Sequence, residues 1–139
     1  MGYDIVRRIR DARAQPSGGA LLEELRREGF VVMHDIEQLG EGSVDHLVGG
    51  PSGVFLVETK LRGDEHEQLR KAKRQAAKLA SGLGVSVTPV VALTEQRERV
   101  PYCRHGVWII SSGQLLSWIR AQREPVVGVE RLARFAALS

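Results

Sequence analysis

The stretch Val44-Asp45-His46-Leu47-Val48-Gly49-Gly50-Pro51-Ser52-Gly53-Val54-Phe55-Leu56-Val57-Glu58-Thr59-Lys60 decides the fold. Two apolar runs flank a glycine-rich turn with one proline, the pattern of a β-hairpin. With Gly50–Gly53 as a type I turn and Pro51 at its second position, where the fixed φ fits, Gly49 faces Val54. Antiparallel register then sets Asp45 opposite Glu58, with Lys60 two residues further along the same face. Leu47, Val54 and Leu56 fill the rest of that face. Val44, Val48, Phe55 and Val57 take the other, together with His46, which reads as a buried, hydrogen-bonded histidine. A charged cluster therefore ends an otherwise apolar hairpin.

Upstream, Gln15–Gly19 breaks the chain, and a helix starting near Gly19 buries Leu21, Leu22 and Leu25 before Gly29 caps its end. Phe30–Met33 opens a strand that His34 and Asp35 close. Asp4 caps an earlier helix, residues 4–14. Downstream, Glu65–Leu83 repeats apolar residues Leu69, Ala72, Ala76, Leu79 and Leu83 at helical spacing. Val85–Leu93 reads as a strand, with Pro89 marking an edge or a bulge. A polar loop, Thr94–Arg104, leads to the strand Val107–Ile110. Ser111 or Ser112 then caps a helix carrying Leu115, Leu116 and Ile119, and Val129, Leu132 and Phe135 mark a final helix over 126–138. Both faces of the strands are apolar and need cover. The order predicts an α/β fold with a single mixed β-sheet flanked by helices.

At 139 residues the chain has room for one domain, 1–139, with a core over about 19–116. Its 42% hydrophobic and 27% charged residues are those of a folded globular protein. No apolar run reaches the roughly 18 to 20 residues of a membrane span. Met1–Arg10 lacks the apolar centre of a signal peptide, so the cytoplasm is the expected location. Cys103 is the single cysteine, which rules out an internal disulfide and leaves no ligand set for zinc. Lys and Arg number 20 against 17 Asp and Glu, a balance that permits nucleic acid without requiring it. Distribution says more: Lys60, Arg62, Arg70, Lys71, Lys73, Arg74 and Lys78 stand against Asp64, Glu65 and Glu67, beside the charged end of the hairpin. Such a segment suits a phosphate backbone, while part of it forms i,i+4 pairs such as Glu67–Lys71 on a solvated helix face. With two Trp, two Tyr and three Phe in the chain, mostly within apolar runs, no stacking platform for single strands is expected.

Cross-strand carboxylates with Cβ atoms about 4.5 to 5.5 Å apart repel unless a proton or a cation intervenes. Carboxylate oxygens, waters and phosphate suit Mg²⁺ or Mn²⁺. Lys60 would add a phosphate-facing charge. The same triplet is equally met by a strand-end salt bridge in which Lys60 neutralises Glu58. Gln75 falls on the sheet-facing side of its helix with Ala72, Ala76 and Leu79, where its amide needs a buried polar partner such as the site carboxylates.

These residues resemble the nuclease-related domain family, a branch of the PD-(D/E)XK nuclease superfamily. The similarity lies in Val32-Met33-His34-Asp35-Ile36, Asp45-His46-Leu47-Val48 and Gly50–Lys60, followed by Ala72-Lys73-Arg74-Gln75-Ala76-Ala77-Lys78-Leu79, and covers roughly Gly19 to Leu116. The resemblance implies a restriction-endonuclease-like αβββαβ core and metal-dependent phosphodiester hydrolysis, with DNA as the polymer and Mg²⁺ or Mn²⁺ as the cofactor. RNA and a homodimer are left open. By position, Asp45, Glu58 and Thr59 would bind the metal, Lys60 would orient the attacking water or offset charge, and Gln75 would support the site. Arg62, Lys71, Lys73, Arg74 and Lys78 would meet the nucleic acid. The family also has an acid early in its first core helix. Here that place falls near Gln15 or Pro16, so Glu23 is the substitute, with Glu24 and Glu28 as alternatives. The other reading of the chain is a non-catalytic nucleic-acid-binding module with a degenerate metal site.

Overall fold

A computed structural model describes residues 18–38, 40, 42–59, 64–94 and 100–122. The expected helices over 4–14 and 126–138, and the side chains of Lys60 and Arg62, lie outside the described residues. Six strands, β1 (Val31–Gln38), β2 (Gly42–Gly50), β3 (Gly53–Glu58), β4 (Thr88–Leu93), β5 (Tyr102–Arg104) and β6 (Val107–Ser111), form one sheet in the order β1-β2-β3-β4-β6-β5. The pairs β1–β2, β2–β3 and β5–β6 are antiparallel, and β3–β4 and β4–β6 are parallel, so the sheet is mixed as expected. The helices are α1 (Gly18–Leu22), α2 (Glu65–Leu83) and α3 (Leu115–Ala121), with 3-10 helices at Glu23–Glu28 and Ser112–Gln114. The αβββαβ core is thus present in chain order.

The hairpin register follows from its turn. Gly50 pairs with Gly53, and the ladder continues through Gly49–Val54, Val48–Phe55 and Leu47–Leu56 to His46–Val57. Asp45 and Glu58 stand at the next step beyond the last laddered pair. Gly50 is required for a second reason: a Cβ there would come within 2.3 Å of the Phe30 ring, which closes over the turn.

One face of the sheet, with Val32, Val48, Phe55, Val57, Val90, Ala92 and Ile110, packs on Leu22 and Leu25 and on Leu115 and Ile119 of α3. The other face, with Met33, Leu47, Val54 and Leu56, packs on Ala72, Ala76, Leu79 and Leu83 of α2. Asp64 caps α2 by accepting the His66 backbone N–H at 2.9 Å, and Gly84 ends it in the left-handed region. Its bounds, Glu65–Leu83, are those the apolar repeat predicts.

Five expectations need correction. Val44 lies under α2 with Leu47, not on the opposite face. Strict alternation fails because Asp35 takes φ 50°, the ladder passes over the Asp35–Asp45 step, and both strands turn over by one position there. For the same reason His34 and Asp35 do not close β1, which runs on to Gln38. The first core helix becomes a 3-10 helix after Leu22, whose three-residue period aligns Leu22 with Leu25 and leaves Leu21 half-buried. Pro89 lies in a central strand: it pairs with Leu56, and the ladder to β6 begins only at Val90, so its missing N–H is harmless. Finally, the segment expected as a polar loop contains β5, which sequence reading missed because Tyr102 is its only large apolar residue.

Candidate active-site cleft

The end of the hairpin and the first half of α2 enclose a cleft lined by Ser43, Asp45, Glu58, Glu67, Gln68, Lys71, Ala72, Arg74 and Gln75. The strands bring Asp45 and Glu58 together, and the spacing of α2 sets Lys71 and Gln75, one turn apart, above them. Among the sequence candidates, Asp45, Glu58, Lys71, Arg74 and Gln75 share this cleft. Ser43, Glu67, Gln68 and Ala72 were not anticipated. Ser43 was missed because the turn-over at Asp35 is invisible in residue alternation.

Asp45 is held by Thr59, whose backbone N–H and hydroxyl both donate to Oδ2, at 3.0 and 3.2 Å. Desolvation works to raise the Asp45 pKa, but the Thr59 backbone bond, a hydrogen bond from Glu58 and the nearby His46 outweigh it, and the carboxyl lies below its ordinary value. Glu58 is only 8% exposed. Burial first, and then the Asp45 charge, push it up to about 8, with Lys71 as a weaker opposing charge. At neutral pH the pair is therefore one carboxylate and one carboxylic acid sharing a proton.

Gln75 is fully buried, and its Nε2 donates to the Ser43 carbonyl at 3.2 Å, tying α2 to the start of β2. Lys71, Lys73, Arg74 and Lys78 are exposed along α2. The Lys71 Nζ approaches Gly42, Lys78 approaches Gly40 and Lys73 approaches Gly106, so the basic residues spread over the rims on both sides of the helix.

Glu23 is not in the cleft. Its Oε1 accepts from Arg26 Nε at 2.7 Å and its Oε2 meets His34 Nε2 at 2.5 Å. Despite desolvation, Arg26 and His34 hold its carboxyl below the ordinary value. Glu24 and Glu28 are exposed, and Glu28 pairs with Arg120. His46 is half-buried on the α1 side, where it bonds to His34. Among the described residues, no group of three or more His, Cys, Asp and Glu could hold a metal ion. Two adjacent carboxylates that must share a proton when no cation is near are nonetheless an oxygen donor set that fits Mg²⁺ or Mn²⁺, since these ions keep several waters and take few protein ligands. None of the described helices is long and apolar enough to cross a membrane.

The sequence model of the nuclease-related domain family matches residues 17–94, ending short of the Leu116 limit expected from the resemblance. No curated protein matches the chain significantly. Among solved structures, a repair endonuclease from Pyrococcus abyssi is similar over 78% of this chain and 45% of its own, at 19% identity and a TM-score of 0.43. The structure of an EndoMS–dsDNA complex is similar over 81% of this chain and 48% of its own, at 19% identity and a TM-score of 0.40. The chain spans about half the length of these proteins.

Proposed function

The chain belongs to the nuclease-related domain family, and from that premise we propose that it hydrolyses phosphodiester bonds in DNA, using Mg²⁺ or Mn²⁺ held by Asp45 and Glu58. The observation that carries this reading is the pairing of half-buried Asp45 with buried Glu58 in the cleft that Lys71 and Arg74 line. A cation bound there would supply a lower pKa for the attacking water and charge to offset the phosphate. Asp45, fixed by the two Thr59 donors, presents a preset carboxylate. Glu58, whose pKa is about 8, would have to release its proton to hold a cation together with Asp45. Lys71 and Arg74, lining the cleft, hold the scissile phosphate, and Lys73 and Lys78 extend the contact along the backbone. Gln75 fixes α2 against β2 and so sets the width of the cleft. Lys60 has the family's charge-stabilising role.

The test is incubation of the purified chain with plasmid and linear DNA in Mg²⁺, Mn²⁺ or chelator. Cleavage in either metal and none in chelator is expected. Tight DNA binding without cleavage in any metal favours the non-catalytic binding module, a reading supported by the place of Glu23 outside the cleft.

A further inference from the structure

A line of hydrogen-bonding groups runs through the sheet from the first core helix to the cleft. Glu23 Oε2 meets His34 Nε2 at 2.5 Å, His34 Nδ1 meets His46 Nδ1 at 2.8 Å, and His46 Nε2 meets Thr59 Oγ1 at 3.5 Å. Thr59 Oγ1 completes it by donating to Asp45 Oδ2 at 3.2 Å. His34 and His46 are cross-strand partners of β1 and β2, with ring centroids 5.0 Å apart and planes at 84°. His34 is 1% exposed. The backbone of α1 comes so close that a Cβ on Gly19 would lie 2.7 Å from His46 Cε1, which pins the second ring.

Proton counting gives the line a direction. Thr59 has one hydroxyl proton, and giving it to Asp45 leaves only acceptor capacity toward His46. His46 must then donate from Nε2 and accept at Nδ1. His34 Nδ1 is then the donor to His46, and its Nε2 meets Glu23 Oε2 at the far end of the line. The reverse order would take the Thr59 proton away from Asp45.

We infer that Glu23, His34 and His46 are positioning residues that aim the Thr59 hydroxyl at Asp45 and so fix the orientation of that carboxylate in the cleft. The inference rests on the nuclease reading, because orientation of Asp45 matters for a cation and a phosphate. It gives the acid of the first helix a role through the sheet instead of a place among the ligands. Partners that orient a metal-binding group typically change affinity or activity by about 10- to 100-fold.

The test is a double-mutant cycle between Glu23 and Thr59, the two ends of the histidine line. Glu23→Ala and Thr59→Val are each made alone and together, with Mn²⁺ affinity and kcat and KM on plasmid DNA as readouts. Each single change is expected to weaken Mn²⁺ binding and lower kcat about tenfold with KM for DNA little changed. The pair is expected to be no worse than the worse single variant, since the line is already cut. Thr59→Ser, which keeps the hydroxyl, is expected to restore wild-type values. Glu23→Gln, isosteric but uncharged, should show a smaller loss of the same sign and serves where Glu23→Ala is too unstable to purify. Losses that multiply in the double variant, or a Thr59→Ser variant as impaired as Thr59→Val, overturn the positioning role while leaving the nuclease reading intact. A wild type that binds Mn²⁺ but cuts no DNA overturns the nuclease reading, and the cycle is then read on Mn²⁺ affinity. A wild type that binds no Mn²⁺ overturns both.

Discussion

At the scale of single residues, the shared proton of Asp45 and Glu58 makes stability depend on pH in a definite direction. The folded pKa of Glu58, about 8, lies above the ordinary value of 4.5. The stabilisation that goes with such a raised value is complete below the unfolded pKa and is lost as pH rises through the folded one, because the unfolded chain then releases a proton that the folded chain retains. The metal-free chain should therefore lose thermal stability between about pH 5 and pH 8, with a contribution from this group of at most on the order of 4 kcal/mol. Glu58→Gln should flatten that fall, and an equally steep fall in the variant would assign it elsewhere. Because the cation must displace the proton, Mg²⁺ or Mn²⁺ should raise the melting temperature more at pH 9 than at pH 6. The opposition of Asp45 and Glu58 was legible because glycines and Pro51 set the turn, and the turn sets the register. The face of Val44 was not, since the left-handed Asp35 carries no glycine to mark it. Nor was the link from Glu23 to His34, which joins residues 11 apart through a 3-10 helix that the apolar spacing reads as α.

Two elements invite tests of their own. The basic residues of α2 spread toward Gly40, Gly42 and Gly106, which gives the helix a broad positive surface at the mouth of the cleft. Changing Lys71, Lys73 and Arg74 together to Ala should weaken DNA binding and reduce the slope of log K against log salt by about 2 to 3, at roughly 0.9 per lost phosphate contact. An unchanged slope would leave that surface as solvated helix. The hairpin turn is tested by Gly50→Ala. Its Cβ would meet the Phe30 ring well inside contact distance, so the expected cost is about 1 to 3 kcal/mol in chemical denaturation. A neutral effect would mean that Phe30 does not close over the turn. The length of α2 was readable from an unbroken apolar repeat between Asp64 and Gly84, whereas β5, with one large apolar residue in three, gave alternation nothing to act on.

Over the whole molecule, the sheet keeps two apolar layers apart, and Asp45 and Glu58 lie where the hairpin ends. The three antiparallel strands bring the carboxylates into place, and the crossover through α2 to the parallel β4 lays a basic helix across them. From the other side, α1 and the 3-10 helix reach the same point through His34 and His46. The architecture followed from element order and from strands apolar on both faces. The cleft's composition depended on a local turn-over in β1 and β2 that residue patterns do not record. The proposed nuclease activity depends on the Asp45–Glu58 pair acting as the cation site. Its most direct measurement is the rate of plasmid cleavage by wild type and Glu58→Gln across one Mg²⁺ or Mn²⁺ titration, with melting temperature followed in the same samples. Metal-dependent cleavage and a metal-induced rise in melting temperature are expected for wild type, with loss of cleavage and a smaller rise in a folded Glu58→Gln; cleavage by Glu58→Gln at the wild-type rate would contradict the assignment of the pair as the cation site.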